Sequence, residues 1–274
     1  MSDSIAERIA ERMSALPKSE RRAAQTLVAD YPLIGLRTAA EFSAKAGVSA
    51  PTVLRLAARL GFASYPEFQA ALKDELAERL QSPFSRSSNR PPDDSGPLIA
   101  ATLGNITETM RHLPPAQIAE MAQCLAHDKA RVFLAGGRFT DPLARYMAAH
   151  LKVIRPNVFH LAGQESTWRD QLIDMGKRDV LVLFDIRRYS EFLESFAAKA
   201  HGRGVQIIVF TDQWLSPAAR FARHVIAGRT AVPSPWDSSA ALLAAIETII
   251  METTRARGAA ASTRIRDAEQ IRNS

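Results

Sequence analysis

Three short stretches concentrate side chains that can hold an anion. Residues 136–141 read Gly-Gly-Arg-Phe-Thr-Asp, residues 185–190 read Asp-Ile-Arg-Arg-Tyr-Ser, and residues 211–214 read Thr-Asp-Gln-Trp. Gly136 and Gly137 let backbone approach a bound group closely, Arg138 adds a cation, and Thr140 can cap a following helix whose dipole favours negative charge. Adjacent Arg187 and Arg188, followed by Tyr189 and Ser190, have the composition of a fork for a carboxylate or phosphate. Asp185 can orient an arginine or a ligand hydroxyl or amine. Plainer readings compete: neighbouring arginines often face opposite ways, one can pair with Asp185 or serve a subunit interface, and Ser190 can be a simple helix cap. A further stretch, GRTAVPSPWDSS over 228–239, offers a second wall. There Trp236 is either a lid residue or packs against a neighbouring subunit.

A different chemistry is written into residues 47–62, GVSAPTVLRLAARLGF. Gly47 can supply the positive φ of a tight turn, Ser49 is a good N-cap, and Pro51 fits the first helical turn, where a missing N–H costs nothing. Val53, Leu56 and Leu60 form an inward stripe, which leaves Ala50, Thr52, Arg55 and Arg59 facing outward. Upstream, Thr38 with Glu41 three residues later is a capping-box pattern opening a short helix that runs to Gly47. Two short helices across a Gly turn are the helix-turn-helix pattern. In that motif the start of the second helix enters the major groove. Ser49, Ala50 and Thr52 would then meet base edges or nearby phosphates, Arg55 a guanine or a phosphate, and Arg59 a phosphate. An ordinary helical hairpin with solvated arginines has the same local pattern.

The elements that must position these residues fall into two blocks. Helical periodicity covers 3–16 and 18–31, then the helix-turn-helix pair, then 64–80 with Phe68, Leu72 and Leu76 on one side. Residues 81–97 hold four prolines and five serines with little to bury, which marks a linker and a domain boundary. After helical segments at 98–113 and 114–127, short apolar runs at 130–137, 157–163, 179–185 and 205–211 alternate with helices. A fifth run is possible at 224–228, followed by a long helix over 238–257. Strands apolar along their whole length and separated by helices indicate a parallel sheet covered on both faces. The expected division is 1–80 for a DNA-binding helix-turn-helix domain, 81–97 linker, 98–258 for an α/β domain, and 259–274 for a polar tail that frays. Ligands of such sheets bind beyond the carboxyl ends of the strands, where the three anion-suited stretches fall.

Composition narrows the class. The chain has 274 residues, 46% apolar and 23% charged, which suits a soluble globular protein of two domains. A net charge of +6 favours an acidic partner. The single cysteine, Cys124, excludes disulfides and a cysteine-rich metal site and reads as a buried, inert thiol. The six histidines lack metal-ligand spacing, so no metal and no cofactor are expected. The amphipathic start and the lack of a long apolar run argue against a signal peptide and a membrane span, and a cytoplasmic location is expected.

Both halves resemble the RpiR/MurR family of bacterial transcriptional regulators, which join a helix-turn-helix domain to a sugar isomerase (SIS) domain. The N-terminal run AGVSAPTVLRLAARLGFASYPEFQAAL, residues 46–72, is similar to the family's signature. So is the T-D-x-x-x-S-P-x-A segment with Thr211, Asp212, Ser216, Pro217 and Ala219. The resemblance implies a multidomain chain, an all-α helix-turn-helix domain followed by a three-layer α/β SIS domain. It also implies a homodimer or tetramer. The family's phosphosugar site usually reads Gly-x-Gly-x-Ser after the first strand and Ser-x-Ser-Gly-x-Thr after the third. Here Gly136, Gly137, Arg138 and Thr140 stand in the first place, and Asp185, Arg187, Arg188, Tyr189 and Ser190 in the second. Only Thr140 and Ser190 keep a hydroxyl, so an anion other than a phosphosugar, such as a carboxylate-bearing metabolite, is also expected to suit the site.

The resulting expectation is an effector-responsive regulator, a repressor rather than an activator, that binds double-stranded DNA at a pseudo-palindromic operator and responds to a small anionic metabolite. No catalytic residue is assigned. The alternatives are an SIS-type sugar-phosphate isomerase, for which Glu165 or Glu191 would have to act as base, and a ligand-binding adaptor without DNA binding.

Overall fold

The computed structural model describes residues 4–80, 84, 86, 95–163 and 165–273. The linker expected over 81–97 lies largely outside the described residues.

The N-terminal domain is helical: α1 (Ile5–Arg12), α2 (Lys18–Ala29), α3 (Ala39–Ala46), α4 (Ala50–Arg59) and α5 (Tyr65–Leu80). Local sequence sets several of the boundaries. Ser4 and Glu7 form a reciprocal capping box at the start of α1, and Thr38 and Glu41 form another at the start of α3. Gly47 ends α3 in the left-handed region at φ 62°, where a residue without Cβ is unstrained. Ile5, Ile9, Leu27, Phe42, Val53, Leu56, Leu60 and Phe68 close one apolar core, as the helical periodicity requires.

The second domain opens with α6 (Gly96–Arg111) and α7 (Pro115–Ala126) and then alternates strand and helix. Its strands are β1 (Val132–Gly136), β2 (Val158–His160), β3 (Val180–Phe184), β4 (Gln206–Asp212) and β5 (His224–Gly228). Between them run α8 (Asp141–Ile154), α9 (Glu165–Asp174) and α10 (Glu191–Gly202), and after them come α11 (Ala240–Arg257) and α12 (Ala259–Asn273). All four strand pairings are parallel, in the order β2-β1-β3-β4-β5. Alternation along the strands feeds two cores. Val132, Leu134, Val182 and Phe184 pack under α7, α8 and α11, while Phe133, Ala135, Leu181 and Leu183 pack under α9 and α10. The run at 224–228 is therefore a genuine fifth strand. Residues 259–273, expected to fray, instead form a helix anchored by Ala261 and Ile265 against the α8–α11 side of the core.

In this strand order the chain leaves β1 toward β2 and resumes with β3 on β1's other side. The β1–α8 and β3–α10 loops therefore part at the carboxyl edge of the sheet, the place where open α/β sheets leave a crevice. The helical domain docks on this same edge. Ser4 Oγ donates to the Gln213 carbonyl at 3.1 Å, and Leu215 packs against the helical core.

Candidate functional site: a recognition helix and an arginine-lined cleft

On α4 the structure brings together most of the residues expected at a DNA surface. Ser49, Arg55 and Arg59 are exposed and Ala50 is partly so. Thr52 is a correction: it is 3% exposed, its Oγ1 lies 2.9 Å from Ser49 Oγ and accepts from Arg55 Nη2 at 3.0 Å. It sits one position before Val53 on the buried side of α4, so it steers Arg55 rather than facing a base. Ser49 begins α4 in extended conformation, but its hydroxyl makes no capping bond to an amide, because Thr52 holds it.

Sequence reading missed two neighbours. Glu20 of α2, 3% exposed, lies 2.5 Å from Arg59 Nε and 3.5 Å from Arg55 Nε, so one buried carboxylate orients both guanidinium groups. Leu54, 46% exposed, stands off the inward stripe on the outward face beside Pro51. The helical wheel alone would have shown Leu54, whereas Glu20 needs the packing of α2 on α4.

At the sheet edge, the first predicted loop is tied up internally. Thr140 Oγ1 accepts from the Gly137 amide at 2.8 Å and donates to the Phe184 carbonyl at 2.6 Å. It therefore staples the β1–α8 loop to β3 and makes no side-chain cap on α8, contrary to expectation. Gly136 is required by the protein's own backbone: a Cβ there would come within 2.6 Å of the Asp141 amide nitrogen. Arg138 is exposed, its guanidinium 5.1 Å from the Phe139 ring.

The β3–α10 loop is where the chemistry gathers. A cleft of about 360 Å3 is walled by Arg187, Arg188, Tyr189, Ser190 and Pro217, with Leu80 from α5 of the helical domain on its rim. Gly136, Gly137, Arg138 and Thr140 lie outside this cleft. Ser190 caps α10, accepting from the Leu193 amide at 3.3 Å, while it also lines the cleft. Asp185 is 2% exposed and accepts from Ser216 Oγ at 2.5 Å and from the Ser190 amide at 3.3 Å. Burial pushes its carboxyl up to about 7, helped by the Asp212 and Glu194 charges and opposed by those two hydrogen bonds. Asp212, wholly buried, is likewise raised by desolvation. It accepts from Tyr189 Oη at 2.6 Å, from the Trp214 amide at 3.1 Å and from the Arg187 amide.

The two arginines do face different ways. Arg188 is exposed on the cleft wall. Arg187 is 8% exposed, with its backbone in the left-handed region at φ 52°. That conformation is held by the bond from its amide to Asp212. Its side chain meets Asp237 twice, Nη2 to Oδ1 at 2.7 Å and Nε to Oδ2 at 2.6 Å. Nη1 donates to the Glu78 carbonyl of α5 at 2.8 Å, and the guanidinium lies 4.7 Å from the Trp214 ring. Asp237 also pairs with Arg86, Nη1 to Oδ1 at 3.0 Å. These partners lie far along the chain from Arg187, and no local signal points to them. Trp236 is 59% exposed and 6.0 Å from the exposed Phe139 ring, so within this chain it is a surface residue of the 228–239 segment. Trp168 is buried against Phe192 and Phe196. Cys124 is half-buried, donates to Gln206 Oε1 at 3.3 Å, and has its thiol pushed up by burial. Among the described residues no cluster of His, Cys, Asp and Glu could hold a metal ion, and no helix is long and apolar enough to cross a membrane.

Comparison with known proteins agrees with this geometry. The model of the rpiR-family helix-turn-helix domain matches residues 3–79, and that of the SIS domain matches residues 125–252. The sugar isomerase domain of an RpiR transcription factor from Sphaerobacter thermophilus shares the fold at 21% identity and a TM-score of 0.60, over 65% of this chain and 99% of that one. The Vibrio vulnificus NanR protein, solved with ManNAc-6P, does so at 14% identity and a TM-score of 0.55, over 98% of this chain and 97% of that one. Among curated proteins none matches. A helix-turn-helix head joined to an SIS domain defines a DNA-binding transcription regulator whose second domain is of a class that binds carbohydrate derivatives. The chain joins a helix-turn-helix domain of the rpiR family to an SIS domain.

Proposed function

We propose that this regulator is an effector-responsive repressor. The observation that carries the reading is the position of Arg187. Arg187 lines the candidate effector cleft, and Nη1 of its guanidinium holds the Glu78 carbonyl of the helical head. A small anion that engages Arg187 or Arg188 changes contacts that also seat the head, so effector and operator affinities are coupled, each altering the other by the same factor. Ser49, Ala50, Pro51, Leu54, Arg55 and Arg59 form the DNA-facing surface, with Thr52 and Glu20 positioning the arginines. Two such heads, held as a homodimer or tetramer by the SIS domains, would read half-sites about one helical turn apart or a multiple of it.

The test is selection of duplexes from a random library by the full-length protein, followed by affinity measurement with and without a panel of sugar phosphates and small organic acids. A selected palindromic motif whose affinity falls with one panel member is the expected result. No selected motif would overturn the regulator reading, and a motif indifferent to the whole panel would remove the effector cleft from it. Glu191 lines the cleft, where an isomerase would need its base. The isomerase alternative therefore makes a separate demand, turnover of a sugar phosphate by the purified protein, and none is expected.

A further inference from the structure

Asp237 lies on Arg187 as a ligand would. Its Oδ1 accepts from Nη2 at 2.7 Å and its Oδ2 lies 2.6 Å from Nε as an ion pair, so both oxygens face one edge of the guanidinium, and Arg86 adds a second donor to Oδ1 at 3.0 Å. All three side chains are largely withdrawn from water, at 8%, 15% and 12% exposure for Arg187, Asp237 and Arg86. We infer that Arg187 and Arg86 form a carboxylate seat which the chain fills with its own Asp237, and that a small organic acid acts as effector by placing its carboxylate there and expelling Asp237. The regulatory half rests on the function proposed above; the seat itself does not.

Three observations support displacement by a carboxylate. First, Asp237 rides on a segment between β5 and α11 with no helix or strand of its own. That segment is tied down near its start by Asn105 Nδ2 to the Ala231 carbonyl and the Ser238 amide to the Thr230 carbonyl, both at 2.8 Å. Around Asp237 it is held by Arg86 Nη2 to the Val232 carbonyl at 3.1 Å and the Arg86 and Arg187 pairs themselves. Second, the groups that a tetrahedral phosphate cradle would use are already committed. The Gly137 amide goes to Thr140 and Phe184, the Thr140 hydroxyl to Phe184, and the Ser190 amide to Asp185. Third, the acidic side chains of Asp185 and Asp212 are bonded to the amides of this loop, and to the extent that they are ionised they penalise a dianion more than a single negative charge. An incoming acid must outcompete an internal carboxylate of high effective concentration, so it needs further contacts. Exposed Arg188, on the cleft wall, can supply them.

Expulsion would leave Arg187 on the Glu78 carbonyl but release Arg86, which follows α5 in the chain, from Asp237. The effector would thus loosen a tether between the head and the SIS domain while keeping the head in contact with the cleft.

Chemical rescue tests the seat. Full-length Asp237→Ala should melt several degrees below wild type, and sodium acetate at tens of millimolar should restore most of that loss. Sodium chloride or sodium phosphate at the same ionic strength should not, and in the Asp237→Ala/Arg187→Ala protein acetate should act no better than chloride. Equal effects of acetate and chloride on Asp237→Ala, or rescue that survives loss of Arg187, would overturn the seat; phosphate outperforming acetate would overturn the ligand class. A second measurement needs no variant. In wild type, malonate should speed amide hydrogen exchange in residues 230–239 several-fold, whereas phosphate should leave it unchanged, and equal exchange in the two would overturn displacement. Neither readout involves DNA, so a protein that passed both yet selected no duplex would lose the repressor reading and keep the carboxylate seat.

Discussion

Glu7 and Arg229 are joined across the boundary between the two domains, Oε2 to Nη2 at 2.7 Å, with each side chain 5% exposed. Glu7 belongs to the first helix of the head and also accepts from the Ser4 amide at 2.7 Å. Arg229 directly follows the last strand of the sheet, and its amide donates to Thr109 Oγ1 at 2.9 Å. Breaking a buried ion pair by removing one partner costs up to about 3–5 kcal/mol. Glu7→Ala should therefore lower the urea midpoint markedly, while Glu7→Met/Arg229→Met should recover much of the loss. A single variant as stable as wild type would show that the head does not stay docked in solution.

The recognition helix makes a graded prediction. Arg55→Ala should weaken binding to a selected operator by about 1–3 kcal/mol if the contact is bidentate to a guanine. Arg59→Ala should weaken all sequences alike and reduce the salt slope by about 1, the mark of a phosphate contact. Glu20→Gln should produce a smaller loss of the same kind, because it removes the carboxylate that orients both side chains. Fluorescence anisotropy across a salt series separates the three.

Leu54 is 46% exposed on the outward face of α4, and an apolar side chain there suits a thymine methyl. Replacing thymine by deoxyuridine in the selected half-site should cost about 1 kcal/mol with wild type and almost nothing with Leu54→Ala. Equal losses with both proteins would place the methyl contact elsewhere.

Asp185 gives a pH dependence of definite sign. Its carboxyl is pushed up to about 7 in the folded chain by burial, above its unfolded value near 4. The folded state therefore binds the extra proton, and stability falls as pH rises from about 4 to about 7, by up to about 4 kcal/mol. Asp185→Asn mimics the protonated form and should be the more stable protein at pH 8, with a flatter profile across that window. Asp212 shifts the same way and remains in both proteins, so the difference between their denaturation curves isolates Asp185.

Gly136→Ala tests the tight join of β1 to α8. The added Cβ would meet the Asp141 amide nitrogen and the Thr140 carbonyl carbon at 2.6 Å and the Thr140 oxygen at 2.7 Å. These are backbone atoms that cannot swing aside, so a loss of at least about 1–3 kcal/mol is expected by calorimetry. Gly137→Ala, whose Cβ would meet only Thr140 Oγ1 at 3.5 Å, should cost little by comparison.

What could be read from the sequence was local. The Thr38–Glu41 box, the left-handed Gly47 and the inward stripe of Val53, Leu56 and Leu60 act within one or two helical turns, so they fixed the helix-turn-helix pair unaided. The apolar runs likewise announced a parallel sheet and placed the anion-suited loops at its carboxyl edge. Tertiary structure alone decided where the charges went. Arg187 could be recognised as half of an anion fork, but its partners Glu78, Asp212, Trp214 and Asp237 come from three separate segments. The polar tail was misread for the same reason: its helix is held by Ala261 and Ile265 against a core formed far upstream. Helix caps and periodic apolar faces are short-range and survive in any context. The partner of a long charged side chain is chosen by which distant segments folding brings within 3 Å, and by how little water remains between them.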